Sequence, residues 1–457
     1  LIRSSFQAFA GLLMPAGIDN NTRRERAFLI AAGAFLLVNY AALALVRAAS
    51  PMEMWPVAIW TACAFLGHRA LRRALPHRDP FIFPLVMLLS GWGVLLSDRL
   101  APSLGWRQPI WLAVSTLAIV AIAQLPGDLR WLSRYRYTWL AAGLGLLALT
   151  LIFGVNPSGG GPRLWLVGLQ FAGLYFQPSE VLKLALVIYM ASYLAENREP
   201  IAEERMKIGR FSVPSMQFLG PSLLMWGLVI VIVVWQRDLG AAMLFFFVFA
   251  LMLYITTSDA RYLIVGGGGG LIASAAAYLF FDVVRQRIDI WLNPWPEASD
   301  RAFQIVQSLM AFAAGGVFGR GIGQGSPTFI PVVHSDFAFA AIAEEFGLVG
   351  VVGVCGLLAV LAARGFRIAA QSADRPFRLL LAAGLSLTLA VQSLMIMGGV
   401  LKIIPLTGMT LPFISYGGSS LLSSFVMTGI LLLMSEQTGR AAAYLGRAGW
   451  NGEQQAE

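Results

Sequence analysis

The chain has 457 residues, of which 58% are hydrophobic and 12% charged, and its formal net charge is +9. Soluble globular domains carry roughly 25% charged residues, and here apolar runs of membrane-spanning length recur along the whole chain, which excludes a soluble fold. The basic surplus is scattered as arginines in short segments between the runs, with no basic face interleaved with aromatics, which excludes a nucleic-acid partner.

In chain order, apolar runs predict twelve membrane-spanning helices near 27–48, 55–71, 81–97, 109–125, 137–154, 177–195, 214–235, 238–256, 262–281, 336–362, 378–400 and 411–435. The second run is the shortest. The segment before the first carries Arg3, Arg23, Arg24 and Arg26. No small-residue cleavage site follows that run, so no cleavable signal peptide is expected. Taking this segment as cytoplasmic puts on the same side Arg69, Arg72, Arg73 and Arg78, then Arg130, Arg134 and Arg136, then Arg198, Arg205, Lys207 and Arg210. Arg261, Arg364, Arg367, Arg375, Arg378, Arg440 and Arg447 follow them. The basic bias therefore predicts both termini inside. Cys63 and Cys355 lie within apolar runs and read as buried thiols. Gly266 to Gly270 form a run of five glycines inside a span, for which close helix packing is the expectation and a hinge the alternative.

Three outer loops stand out: 155–176 with Gly159-Gly160-Gly161-Pro162, the long segment 282–335, and 401–410. The long loop is rich in Gly, Trp and Phe and poor in charge, which argues for order. Its middle, Phe303 to Phe318, is predicted to be a helix or re-entrant segment at the membrane surface.

A charge within a bilayer costs roughly 2.5–3.5 kcal/mol on insertion scales, so each one asks for a reason. Glu180 and Lys183 stand three apart on one helical face, either as an internal salt bridge or as ligand contacts. Arg237 and Asp238 pose the same choice, with internal pairing favoured. Glu344 and Glu345 read as partners of another helix. Gly319-Arg320-Gly321-Ile322-Gly323 reads as a tight surface loop whose Arg320 could meet an anion. Lys402 lies in the last outer loop. Asp336, after His334-Ser335 and before Phe337, lies on the outer side at the end of the longest loop. With Ser335 as N-cap it would fall in the first helical turn, where a dipole-stabilised carboxylate and a general base are both open readings.

In register, these motifs resemble the SEDS family (shape, elongation, division and sporulation proteins such as RodA and FtsW) over roughly residues 81–437. They are Gln177-Pro178-Ser179-Glu180 with Lys183, Gln236-x-Asp238-Leu239-Gly240, and Phe303-Gln304 with Gln307-Ser308. The glycine segment, His334-Ser335-Asp336-Phe337 with Ala343-Glu344-Glu345, and Pro405 to Ser420 complete the set. Residues 1–80 would then be an extension with two extra helices, and 438–457 a cytoplasmic tail.

The resemblance implies an all-helical polytopic fold and a peptidoglycan glycosyltransferase in the bacterial cytoplasmic membrane. It implies lipid II as substrate and a class B penicillin-binding protein as partner. It makes Asp336 the essential acid and Trp165 a functional tryptophan. Binding roles are expected for Glu180, Lys183, Arg237, Asp238, Gln304, Gln307, Ser308, Arg320, His334, Lys402, Ser415 and Tyr416. A divalent cation, Mg2+ or Mn2+, is an optional assistant. A precursor flippase and a non-catalytic scaffold are the competing classes. The sequence departs from the family at Asn293-Pro294-Trp295-Pro296-Glu297, at Phe303 where tyrosine is usual, and near Ile396.

Overall fold

The computed structural model describes residues 18–48, 50–156, 163–168, 175–203, 205–208, 211–214 and 216–454. Gly159 to Pro162, Arg3 and Arg210 lie outside the described residues. The main helices, in order, are α1 (Ile18–Arg47), α2 (Trp55–Ala74), α3 (Ile82–Leu100), α4 (Arg107–Ile122), α5 (Arg136–Phe153), α6 (Pro178–Glu196) and α7 (Met216–Trp235). They continue with α8 (Leu239–Thr257), α9 (Arg261–Phe280), α10 (Asp282–Leu292), α11 (Phe303–Gly315), α12 (Ala338–Ala370), α13 (Pro376–Val400) and α14 (Gly418–Gln454). Two short antiparallel ribbons interrupt them: β1 (Leu166–Val167) with β2 (Tyr175–Phe176), and β3 (Arg205–Ile208) with β4 (Phe211–Pro214).

Among the described residues, eleven helices are long and apolar enough to cross a membrane, where sequence reading expects twelve. The missing one is α2. It is a helix of 20 residues, but His68, Arg69, Arg72 and Arg73 crowd its final turns and dilute its apolar content. The last span begins at Gly418 and not near 411, because Leu411 to Gly417 forms a non-helical loop held by side-chain hydrogen bonds.

Helices α3, α6, α13 and α14 are mostly buried and form the centre of the bundle. The α1–α2 hairpin leans on it. Trp60 of α2 donates its indole N–H to the Met87 carbonyl at 2.8 Å, and Arg47 of α1 pairs with Asp98 of α3 at 2.9 Å. At the other end of α1, Glu25 accepts from Arg78 at 2.6 Å and meets His68 at 2.8 Å. Helix α9 is the opposite case, since none of its residues is buried. The expected close packing of the glycine run is found only at its ends, where Gly266 and Gly270 face Ala250 and Phe246 of α8. A Cβ on Gly267, Gly268 or Gly269 would meet nothing within 4 Å.

The long outer loop is ordered. Helix α10 lies across the 401–410 loop, and α11 packs along α12 as a short apolar helix. Helix α12 is broken at Gly347, whose φ of 64° and ψ of −162° leave helical space. The break frees the carbonyls of Glu344 and Glu345, and the glycine loop takes them up. Arg320 N–H donates to Glu344 O at 2.9 Å and Gly321 N–H to Glu345 O at 3.0 Å. Leu348 and Val349 N–H in turn donate to Gly316 O and Val317 O.

The carboxylates finish the seam. Glu344 accepts from Ser326 N–H at 2.8 Å, while Glu345 takes Gly323 N–H and Arg99 of α3, both at 3.1 Å. Among the described residues, only Glu345 thus finds the inter-helix ion pair expected for both. A Cβ at Gly347 would stand 2.2 Å from Gly319 N in a backbone region that L residues rarely adopt. Gly347→Ala is expected to destabilise the protein by about 2 kcal/mol or more. A drop of several degrees in apparent unfolding temperature in detergent checks this, and an unchanged midpoint refutes it.

Candidate active site

Asp336 does not sit in the first turn of α12. The helix begins at Ala338 with Phe337 as N-cap, and Asp336 belongs to the tight turns before it. Val332, at φ 57°, starts that turn and accepts the N–H groups of Ser335 at 3.1 Å and Asp336 at 3.3 Å. The Ser335 hydroxyl, expected to cap the helix, donates to Asp336 Oδ1 at 2.7 Å.

The loop before α14 backs this turn. Ser415 Oγ donates to Ser335 O at 2.5 Å and accepts Leu411 N–H at 3.0 Å, and Tyr416 N–H donates to His334 O at 2.8 Å. The His334 and Tyr416 rings meet edge to face at 5.4 Å between centroids. Burial lowers the pKa of His334, which favours neutral imidazole. The 411–417 loop is itself pressed onto α3 at Gly93, where a Cβ would stand 2.5 Å from Phe413 O.

Glu180 and Lys183 form the internal pair, at 2.7 Å. Ser423 donates to Glu180, and Lys183 donates to Gln392 Oε1 at 2.8 Å. Gln392 then donates to Thr410 O at 2.8 Å, and the Thr410 hydroxyl donates to Ser420 at 2.8 Å. This buried network ties α6, α13 and α14 to the loop that supports Asp336. Its charges are satisfied by one another, which is how they are tolerated inside an apolar bundle.

Asp336 faces a cavity of about 250 Å³. Its walls include Gln304 of α11, Lys402 of the last outer loop, and Val283, Arg287, Ile290 and Trp291 of α10. Trp291 donates to Lys402 O at 3.1 Å, which fixes α10 as a roof over that loop. Arg287 donates through Nη1 to Leu406 O at 3.3 Å and Thr407 O at 3.2 Å. Its other terminal nitrogen, Nη2, and Asp336 Oδ2 both border Gly408. They would lie 3.7 and 3.8 Å from a Cβ there. Gly408 has φ 68°, so glycine both suits the backbone and keeps the space between acid and cation open. Among the described residues no ion pair joins Asp336 to Arg287.

Burial pushes the Asp336 carboxyl above the usual carboxylate range, against the Ser335 hydroxyl and the Arg287 charge, which pull it down. Burial likewise pulls Arg287 down, opposed by Asp238 and Asp336. Arg287 thus stands between two carboxylates. Asp238 caps α8 by accepting Ala241 N–H at 3.1 Å and does not pair with Arg237, contrary to expectation. Arg237 holds φ 62° and turns away, into a second cavity of about 600 Å³ that Arg163 and Arg287 also line. Val283 and Arg287 of α10 therefore line both cavities.

Of the residues singled out from sequence, Asp336, Gln304 and Lys402 share the first cavity, and Arg237 lines the second. Gln304 also reaches Pro331 O at 3.4 Å, and Lys402 reaches Leu292 O at 3.4 Å. Glu180, Lys183, His334, Ser415 and Tyr416 support the site from behind. Ser308 donates to Val400 O at 3.0 Å, Arg320 donates to Ala314 O at 3.3 Å, and Trp165 bridges Val155 in an antiparallel pair. Gln307 is half-buried on α11.

Arg287 escaped sequence reading. Its signal was an arginine in the middle of the apolar face of α10, spaced from Val283, Ile290 and Trp291 as helical neighbours are. No group of three or more His, Cys, Asp or Glu gathers among the described residues. The two carboxylates beside Arg287, Asp238 and Asp336, face a cation of the chain's own.

Residues 79–440 match the family described as cell cycle proteins, FtsW, RodA and SpoVE. The chain is 34% identical over 437 residues to the peptidoglycan glycosyltransferase RodA of Mycobacterium tuberculosis (strain ATCC 25618 / H37Rv), covering 92% of each. It is 33% identical over 357 residues to the probable peptidoglycan glycosyltransferase FtsW of Geobacter metallireducens, covering 77% of this chain and 91% of the relative. The mycobacterial likeness thus extends beyond the family region. Among solved structures, the fold resembles a chain from a peptidoglycan synthase complex that coordinates polymerization and crosslinking. The TM-score is 0.65 at 31% identity, over 79% of this chain and 98% of that one. It also resembles the rod shape determining protein RodA of Thermus thermophilus, with a TM-score of 0.55 at 28% identity over 78% of this chain and 96% of that one.

Proposed function

The chain belongs to the FtsW, RodA and SpoVE family of cell cycle proteins, and from that premise we propose that it is a peptidoglycan glycosyltransferase that polymerises lipid II for cell elongation or division. The observation that carries the reading is Asp336 facing a cavity that Arg287, Lys402 and Gln304 also line, with Arg287 across Gly408 from it.

An acceptor sugar hydroxyl in the cavity attacks the anomeric carbon of the donor. The new glycosidic C–O bond forms as the bond from that carbon to the diphosphate oxygen breaks. Asp336 takes the hydroxyl proton, and the bonding electron pair leaves with undecaprenyl diphosphate. Arg287 neutralises the charge that develops on the leaving group. Lys402 borders the same cavity, and Arg163 and Arg237 border the second one, which suits a diphosphate held beside Arg287, which lines both. Ser335 and the 411–417 loop hold Asp336 in place, and Gln304 is a contact for the sugars. The remaining binding roles, that of Trp165 included, fall to the supporting residues. Charge stabilisation is assigned to these cations, which a divalent cation would assist.

The reading places the arginine-rich ends of the helices in the cytoplasm, both termini inside, and the Asp336 cavity at the outer face of the bacterial cytoplasmic membrane. Residues 1–80 are an extension of the family core. A class B penicillin-binding protein is the partner, for it would crosslink the strands made here. Asp336 lies outside the eleven candidate spans, in a loop, which suits surface chemistry better than a carrier's midplane site.

The test is polymerisation of labelled lipid II by purified protein, with and without the partner. Glycan chains that lengthen with time, more so with the partner present, are expected. Translocation of precursor in liposomes with no chain growth would instead make the protein a flippase.

A further inference from the structure

Helices α1 and α2 enclose a groove of about 510 Å³ that lies apart from the catalytic cavities. Its α1 wall runs Arg26, Leu29/Ile30, Gly33 and Leu37, a single helical stripe. Its α2 wall runs in the opposite direction and ends in His68, Arg69 and Arg72. All the basic residues therefore gather at one end, and the remainder is apolar except for Thr61, whose hydroxyl donates to Val57 O at 2.8 Å. The floor is fixed. Trp60 is held by its hydrogen bond to Met87 O at 2.8 Å, and a Cβ at Gly33 would already stand 3.3 Å from its ring.

We propose that this groove holds one anionic phospholipid, with an acyl chain along Gly33 and Trp60 and the phosphate at Arg26, Arg69 and Arg72. Two observations select that occupant. The first is length. Arg26 to Leu37 spans about 16 Å at the α-helical rise, which matches half of a hydrocarbon core of about 30 Å.

The second is charge. Arg69 and Arg72 are exposed and have no ion-pair partner among the described residues. Among the described residues Arg26 reaches only the imidazole of His68, at 3.3 Å. Glu25, the nearby acid, is buried and committed to Arg78 and His68. A phosphodiester supplies the missing negative charge, whereas an apolar helix from another protein would leave these arginines uncompensated. On the topology proposed above this end is cytoplasmic, so the lipid belongs to the inner leaflet.

The experiment is native mass spectrometry of the purified full chain after equilibration with equal amounts of phosphatidylglycerol and phosphatidylcholine. Wild type is expected to retain one phosphatidylglycerol in strong preference to phosphatidylcholine. The double variant Arg69→Gln/Arg72→Gln, altered only at exposed positions, should lose that retention by about thirtyfold, with lipid II polymerisation in phosphatidylcholine membranes unchanged. Gly33→Leu, which crowds the indole floor, should lower retention of both lipids. Equal retention of the two lipids by wild type would overturn the proposal, as would undiminished phosphatidylglycerol in the arginine variant. So would full displacement by soluble glycerol phosphate, or a protein helix that co-purifies in the groove.

Discussion

Asp336→Ala is expected to abolish polymerisation of labelled lipid II, lowering the rate by about 10²–10⁴-fold, the range by which a positioned general base accelerates a reaction. The protein should still fold and bind its partner. Asp336 lies in the loop before α12, and its side chain takes one hydrogen bond, from Ser335. The backbone turn is held by Val332 and the helix start by Phe337, neither of which needs the carboxylate. Relief of a partly buried acid also removes a desolvation cost. Loss of activity should therefore come without loss of thermal stability. Unchanged polymer yield and length in this variant would remove Asp336 from the chemistry.

The second large effect is expected at Arg287. Its guanidinium does two things: Nη1 clamps the carbonyls of Leu406 and Thr407, and Nη2 faces the space beside Asp336. Arg287→Ala should lower polymerisation by about 10²-fold, the scale seen when one preorganised donor to developing charge is removed. Arg287→Lys keeps the charge but not the fork, so it should recover only part of the rate. If both variants behaved alike, near wild type, the diphosphate would have to be held elsewhere, and Lys402 or Arg237 would be the residues to examine.

The spans could be read from the chain because apolar runs of that length have few alternatives in lipid. Asp336 stood out as an acid at the end of a long outer loop, but its residues left a dipole-stabilised carboxylate and a general base both open, and only the family resemblance singled it out. What sequence hid was tertiary. Whether Gly347 continues a helix or breaks it depends on the 315–321 loop arriving to claim the freed carbonyls. Whether Arg237 pairs with Asp238 depends on the positive φ that turns the arginine away. The glycines of α9 look like packing residues throughout, yet only Gly266 and Gly270 face α8 and the three between them face no neighbour within 4 Å. Arg287 was hidden among the other charges of the long loop because the inward face of α10 is defined only by the loop it lies on.

The most direct measurement is the pH dependence of the polymerisation rate in wild type and in Arg287→Gln. Catalysis needs Asp336 ionised, and burial holds its pKa above the ordinary carboxylate range. The wild-type rate should therefore be full at higher pH and fall as pH drops through that raised value, while the residual rate of Asp336→Ala should lack this fall. Removing the Arg287 charge takes away an influence that lowers the Asp336 pKa, so the acid limb should move to higher pH in Arg287→Gln. An acid limb that persists in Asp336→Ala, or that stays in place without Arg287, would contradict proton transfer to this carboxylate.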